Sequence, residues 1–166
     1  MAKAILAIEE FVEFFAKIAA FLIIILSFLI VYDTVNRYFF NAGSVALQEL
    51  EWHIFDIIFL LGLSFTLKHD KHVRVDIFYE KYSKKTKAII DIISNAVLII
   101  PFSLLLLYVS YGYVELSFSQ NEISPDPGGL GYRYIIKSMI MVGFALLILQ
   151  SIAEILKNIK RYKDAS

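Results

Sequence analysis

The chain has no cysteine, only three prolines and one tryptophan in 166 residues, and a formal net charge of zero. Without cysteine it holds no disulfide and no thiolate metal site. The neutral total says nothing about nucleic acid, because it conceals a sorting of charge by position, and no nucleic-acid signature is present. Internal repeats, low-complexity tracts and a soluble domain are also missing. No nucleophile, base and orienting group form a constellation, so no enzyme is expected. A cleavable signal peptide is not expected either, since Glu9, Glu10 and Glu13 precede the first apolar run and no small-residue cleavage site follows it.

Apolar mass is what the chain has in excess: 58% of its residues are hydrophobic, including 14 Phe and 10 Tyr. Uncharged runs extend over 18–32, 57–67, 92–114 and 138–153. A helix crosses hydrocarbon with about 20 mainly apolar residues, so flanking residues lengthen the shorter runs. The expected spans are 14–35, 50–67, 88–114 and 134–156 of one four-helix, all-α integral membrane domain. Of the 16 Lys and Arg, 13 fall on one side of the alternation these spans define, and only Arg37, Arg133 and Lys137 on the other. The Lys/Arg bias of short loops sets orientation, so both termini and the central loop are expected to be cytoplasmic, in a bacterial or archaeal inner membrane.

Local signals refine this plan. In residues 3–17, Glu9, Glu13 and Lys17 share one helical face, while Ile5, Ile8, Val12 and Phe15 occupy another. This is either an amphipathic helix lying in the interface or a cytoplasmic extension of the first span. Asn41-Ala-Gly43-Ser44 marks a turn before a helix beginning near Val45. In the basic loop 68–87, Val73, Val75 and Ile77 alternate with Arg74 and Asp76, and Ser83 is positioned to cap the third helix. Pro101 lies within that helix and removes a backbone donor, which predicts a local kink.

Ionisable groups near hydrocarbon are costly and mark sites or braces. Asp33 and Arg37 stand one turn apart with the acid first, the favourable order for an ion pair. Glu49, His53 and Asp56 form one stripe on the second helix, with Glu51 pointing elsewhere. The stripe reads either as a proton, ion or metal site or as a set of braces between helix ends; bracing is favoured because the stripe starts at the outer interface. Trp52 suits an interfacial anchor. His69, Asp70 and His72 lie in a charged loop with no fourth ligand in sight. His53 is the sole intramembrane axial candidate for haem. Ser94, Asn95, Gln150 and Ser151 are expected to join helices. The outer connection Ser124-Pro-Asp-Pro-Gly-Gly-Leu-Gly131 has no GxGxxG order and no following Lys-Ser/Thr, so it is a shaped loop rather than a phosphate cradle.

In order and placement, several motifs together resemble the small membrane subunit, DctQ type, of tripartite ATP-independent periplasmic (TRAP) transporters. They are Asn36-Arg37-Tyr38 closing the first helix and Glu49-Leu-Glu-Trp-His53 opening the second. Leu67-Lys-His-Asp-Lys-His-Val-Arg-Val-Asp76 follows, then Ser124-Pro-Asp-Pro-Gly-Gly-Leu130 with Arg133 and Lys137. The resemblance covers nearly the whole chain. It implies a non-catalytic subunit that binds no cofactor and no substrate. Its partners would be a large DctM-type elevator subunit carrying the substrate and Na⁺ sites, a DctP-type periplasmic receptor for a carboxylate or related organic anion, and membrane lipid. Asp126, Pro127, Gly128, Gly129 and Arg133 then become candidates for receptor docking. Asp33, Arg37, Glu49, Glu51, His53 and Asp56 become candidates for bracing the helices of a scaffold. The competing reading is the membrane anchor of a respiratory oxidoreductase holding haem or quinone; an independent channel lacks a filter or pore-lining pattern.

Overall fold

A computed structural model describes residues 2–69 and 82–164. Four helices, each long and apolar enough to cross a membrane, make this a multi-pass membrane protein. They are α1 (Ala2–Phe39), α2 (Val45–Lys68), α3 (Lys84–Ser119) and α4 (Arg133–Asp164). Residues 70, 72 to 77 and the rest of the central loop's middle lie outside the described residues.

The helix starts follow from local chemistry. Ser44 caps α2 by accepting the Leu47 N–H, and Ser83 caps α3 by accepting the Thr86 N–H at 3.2 Å. Helix α1 ends where Asn41 adopts a positive φ of 51° and the Ala42 N–H returns to the Asn36 carbonyl at 3.1 Å.

Residues 3–17 and the first span are one continuous helix of 38 residues. At 1.5 Å per residue it is about 57 Å long, well beyond the roughly 30 Å of a hydrocarbon core. Ile5, Val12 and Ala19, spaced by sevens along this helix, are all buried. The N-terminal stretch is therefore an extension of the first helix that packs against the bundle.

The fourth helix is the centre of the fold: α1, α2 and both halves of α3 pack on it. Leu61, Leu146 and Ala19 form the shared α1–α2–α4 core, with Phe15, Ile18, Ile57 and Val142 around them. Small residues let backbones approach closely where lipid gives no hydrophobic drive for association. A methyl group at Gly143 would lie 2.9 Å from Leu60 Cβ and 3.0 Å from the Leu60 carbonyl oxygen, so α2 and α4 cross at this glycine.

The kink expected at Pro101 takes the form of a π-helical segment, Ser94–Ile99, just before the proline. It ends with the Ile100 N–H donating to the Asn95 carbonyl five residues back. Pro101 has no N–H, and its ring crowds the preceding turn, so a locally widened turn accommodates it. The insertion also sets the register. Ala88 and Asn95 are buried seven residues apart; Ser103, Ser110 and Ser117 continue that buried stripe at sevens, but the step from 95 to 103 is eight. The π turn absorbs the extra residue and keeps small and polar side chains facing α4 throughout.

Candidate functional site

At one end of the bundle, the connection 120–132 folds back onto the start of α2. Glu49, in the second turn of that helix, organises it. Its Oε1 accepts the Ser124 hydroxyl and faces Arg133 Nη2 at 3.7 Å, while Oε2 accepts the Leu130 N–H at 2.6 Å. One carboxylate thus grips both arms of the loop. The arms are also joined directly, Ser124 N–H to the Leu130 carbonyl at 3.0 Å.

Between them, Asp126-Pro-Gly-Gly129 makes a tight turn in which the Gly129 N–H donates to the Asp126 carbonyl at 3.0 Å. Pro127 at the second position and Gly128 at the third, with φ 82°, are the residues a type II turn requires. Gly129 is needed for another reason. A Cβ there would collide with the Ser124 side chain and come within 2.8 Å of Glu49 Oε2. The Asp126 N–H donates to Ser124 Oγ at 3.1 Å, which leaves the Asp126 side chain exposed on a fixed backbone.

The foot of the loop is tied to α3 and α4. The Arg133 N–H donates to the Glu122 carbonyl at 3.1 Å, and the Glu122 carboxylate pairs with Lys137. The Lys137 ammonium also sits 3.9 Å from the centre of the Tyr113 ring. Its hydrogen bond and charge hold the Glu122 carboxyl below the usual carboxylate range. Together these elements enclose an open cleft of about 690 Å³. Glu49, Trp52, His53 and Asp56 line it from α2, with Asp126 and Arg133 opposite. The predicted stripe of Glu49, His53 and Asp56 is therefore one wall of this cleft, with exposed Trp52 beside it.

The other predicted residues lie elsewhere. Arg37 pairs with Asp33 on its own helix, and Asp33 is almost fully buried. Glu51 feels both charges electrostatically, so it faces α1. Glu51 lies off the cleft wall, and Glu49 serves the loop and α4.

The opposite end carries connections that local sequence does not announce. Glu9 pairs with Lys157 at 2.7 Å, and Lys157 also pairs with Glu154 at 2.7 Å. Glu13 pairs with Lys68 at 2.6 Å, and Lys68 donates to the Glu9 carbonyl at 3.2 Å. The N-terminal extension is thereby fastened to α2 and α4. Gln150, fully buried, donates to Glu154 at 2.9 Å and brings that network into the bundle. Its neighbour Ser151 bonds the Leu147 carbonyl within its own helix at 2.8 Å. His69 faces Glu13 at 3.9 Å and packs on Phe65, while Asp70 and His72 lie outside the described residues. Among the described residues no group of three or more His, Cys, Asp or Glu is arranged to hold a metal ion.

Sequence reasoning missed Glu122 and Tyr113 as parts of the loop site, the Ser124 hydroxyl as a partner of Glu49, and Glu9 and Glu13 as anchors. The available signal for the anchors was that both acids share one face of residues 3–17 while Ile5, Ile8, Val12 and Phe15 share another; for Glu122 it was an acid just before a Pro/Gly-rich loop that is followed by two cations.

Residues 26–161 match the family model for the DctQ component of tripartite ATP-independent periplasmic transporters. A Haemophilus influenzae protein named as a candidate TRAP transporter small permease is 24% identical over 161 residues, which cover 96% of this chain and 90% of that protein.

Proposed function

Because the chain belongs to the DctQ component family of TRAP transporters, we propose that it is the small permease subunit of a Na⁺-coupled, receptor-dependent importer of a carboxylate or related organic anion. Membership makes it a transport component that works with other transporter components. The finer reading assigns it a non-catalytic role: it braces a large elevator-type membrane subunit in the inner membrane, with both termini in the cytoplasm, and offers its outer loop to a periplasmic receptor.

The observation that carries this reading is the Glu49-bound loop. A loop spanning two helices is normally free to move, yet this one is fixed by a carboxylate, a type II turn and a glycine that admits no side chain. The residues left outward on that fixed backbone are Pro125, Asp126, Pro127 and Gly128. Preordering of this kind lowers the entropy lost on binding and suits a docking surface. Exposed apolar side chains such as Phe21, Phe28, Leu98, Phe102 and Leu105 cover long faces of α1 and α3, which suits burial against lipid and a larger membrane partner.

The test is reconstitution in proteoliposomes with the cognate large subunit and receptor. Uptake is expected to require the receptor, an inward Na⁺ gradient and this chain. Stable assembly with no receptor-dependent uptake, or equal uptake without a Na⁺ gradient, would contradict the proposal.

A further inference from the structure

We propose that a second cleft, at the end of the bundle that holds both termini, binds one anionic phospholipid of the cytoplasmic leaflet. Lys84, Lys160 and Arg161 hold its phosphate, and Ile5 and Leu6 support an acyl chain. The leaflet rests on the orientation proposed above; the site itself rests on the structure of the cleft.

The cleft has a volume of about 850 Å³ and lies between the start of α1, the start of α3 and the end of α4. Its floor is apolar: Ile5 is buried, while Leu6 beside it is 57% exposed, an apolar ledge that no other described helix covers. Its rim is cationic, with Lys84, Lys157, Lys160 and Arg161 against Glu9 and Asp164. Lys157 is already committed, since it pairs with Glu9 and Glu154 at 2.7 Å each. Arg161 spends one N–H on Asn158 Oδ1 at 3.2 Å, which leaves the rest of its planar fork for a bidentate acceptor. Lys84 and Lys160 are exposed. Three cations from two helices therefore converge on the cleft, with Asp164 as the remaining acid on its rim.

An ordinary surface patch of lysines would not have an apolar ledge beneath it, and an ordinary lipid-facing groove would not have a rim of three cations. The combination matches a molecule with a phosphate at one end and a hydrocarbon chain at the other. α1 extends past the hydrocarbon thickness, so Ile5 and Leu6 lie on its headgroup side, beside the cationic rim. Each Lys or Arg near such a surface strengthens anionic-lipid binding by a factor of about five. A free phosphate shares the charge chemistry but gains nothing from Leu6, so the two ligands are separable.

The experiment uses the full chain, purified and exposed to equal amounts of phosphatidylglycerol and phosphatidylcholine, with bound lipid counted by native mass spectrometry. One phosphatidylglycerol per chain is expected, in preference to phosphatidylcholine. Removing cations in the series Lys160→Gln, then Arg161→Gln, then Lys84→Gln should weaken retention by about five-fold per step. Lys163→Gln, outside the cleft, should leave retention unchanged. Leu6→Ser should weaken lipid retention without conferring binding of glycerol 3-phosphate. Thermal melting of each variant separates lost binding from lost folding, and the single Lys160→Gln variant suffices if the triple variant unfolds. Equal retention of phosphatidylcholine, an unchanged triple variant, an equal loss in Lys163→Gln, or displacement of the lipid by glycerol 3-phosphate or inorganic phosphate would each overturn the site. The leaflet is read separately. The chain has no cysteine, so Lys163→Cys reports its own side of the membrane to an impermeant maleimide. Labelling only after permeabilisation is expected; labelling of intact cells would overturn the leaflet assignment, whatever the mass spectra show.

Discussion

The two ends of this bundle are fastened in different ways. At the loop end, one carboxylate accepts a hydroxyl and a backbone amide, and the turn it holds has a proline, a positive-φ glycine and a glycine with no room for a Cβ. At the terminal end, long side chains meet in ion pairs, Glu9 with Lys157 and Glu13 with Lys68, each side chain only partly exposed. The turn at the loop end is specified by shape, with the Glu122–Lys137 pair at its foot, and the terminal end by charge. A shape-specified element presents one surface to a partner, while a charge-specified one holds an angle between helices and tolerates exchange of its members.

Shape and charge predict different sensitivities. The largest effect is expected for Gly129→Val. Its side chain would meet Ser124 and the Glu49 carboxylate, an overpacking that costs about 3 kcal/mol, measured as a lower thermal midpoint in detergent and a loop newly open to proteolysis. Wild-type stability in this variant would mean that the loop rearranges easily and is not fixed by shape. A smaller effect is expected for the Glu13–Lys68 pair. A double-mutant cycle with Glu13→Gln and Lys68→Met should return a coupling of about 0.5 kcal/mol that shrinks as salt is raised. A coupling independent of salt would show that the terminal end, too, is built on fixed geometry.

The smallest effect concerns pH at the foot of the loop. The Lys137 ammonium depresses the Glu122 carboxyl, so this group contributes stability that is present above its unfolded value and is lost as pH falls through the lower folded value. Carbon NMR of the Glu122 carboxyl should show a midpoint below that of an ordinary glutamate, returning upward in Lys137→Met. An identical midpoint in the two proteins would remove Lys137 as the cause.

What could be read from the sequence divides along the same line. The helices and their starts were legible because hydropathy and capping are local: the uncharged runs, Ser44 and Ser83 each act on residues within a few positions. Asp33 and Arg37 were legible as a pair because helical spacing alone brings them together. Pro101 announced a kink, but whether a helix answers a missing donor with a bend or with a π turn depends on the stripe that must stay facing α4. The partners of Glu49 lie 75 and 81 residues away, and Lys157 lies 148 residues from Glu9. Nothing local distinguishes such a carboxylate from one that simply ends a helix. Its role depends on where the loop between α3 and α4 lands, which is a property of the packed bundle.

The central claim is that the fixed outer loop serves the receptor rather than the assembly of the membrane subunits. Asp126 tests it most directly, because its backbone holds the turn while its side chain stands exposed. In Asp126→Arg, copurification with the large subunit and receptor-dependent uptake should be measured on the same preparation. The account predicts unchanged copurification with uptake reduced by about tenfold, the factor that corresponds to a loss of roughly 1.4 kcal/mol in docking. Unchanged uptake, or a loss of uptake that only follows a loss of assembly, would contradict it.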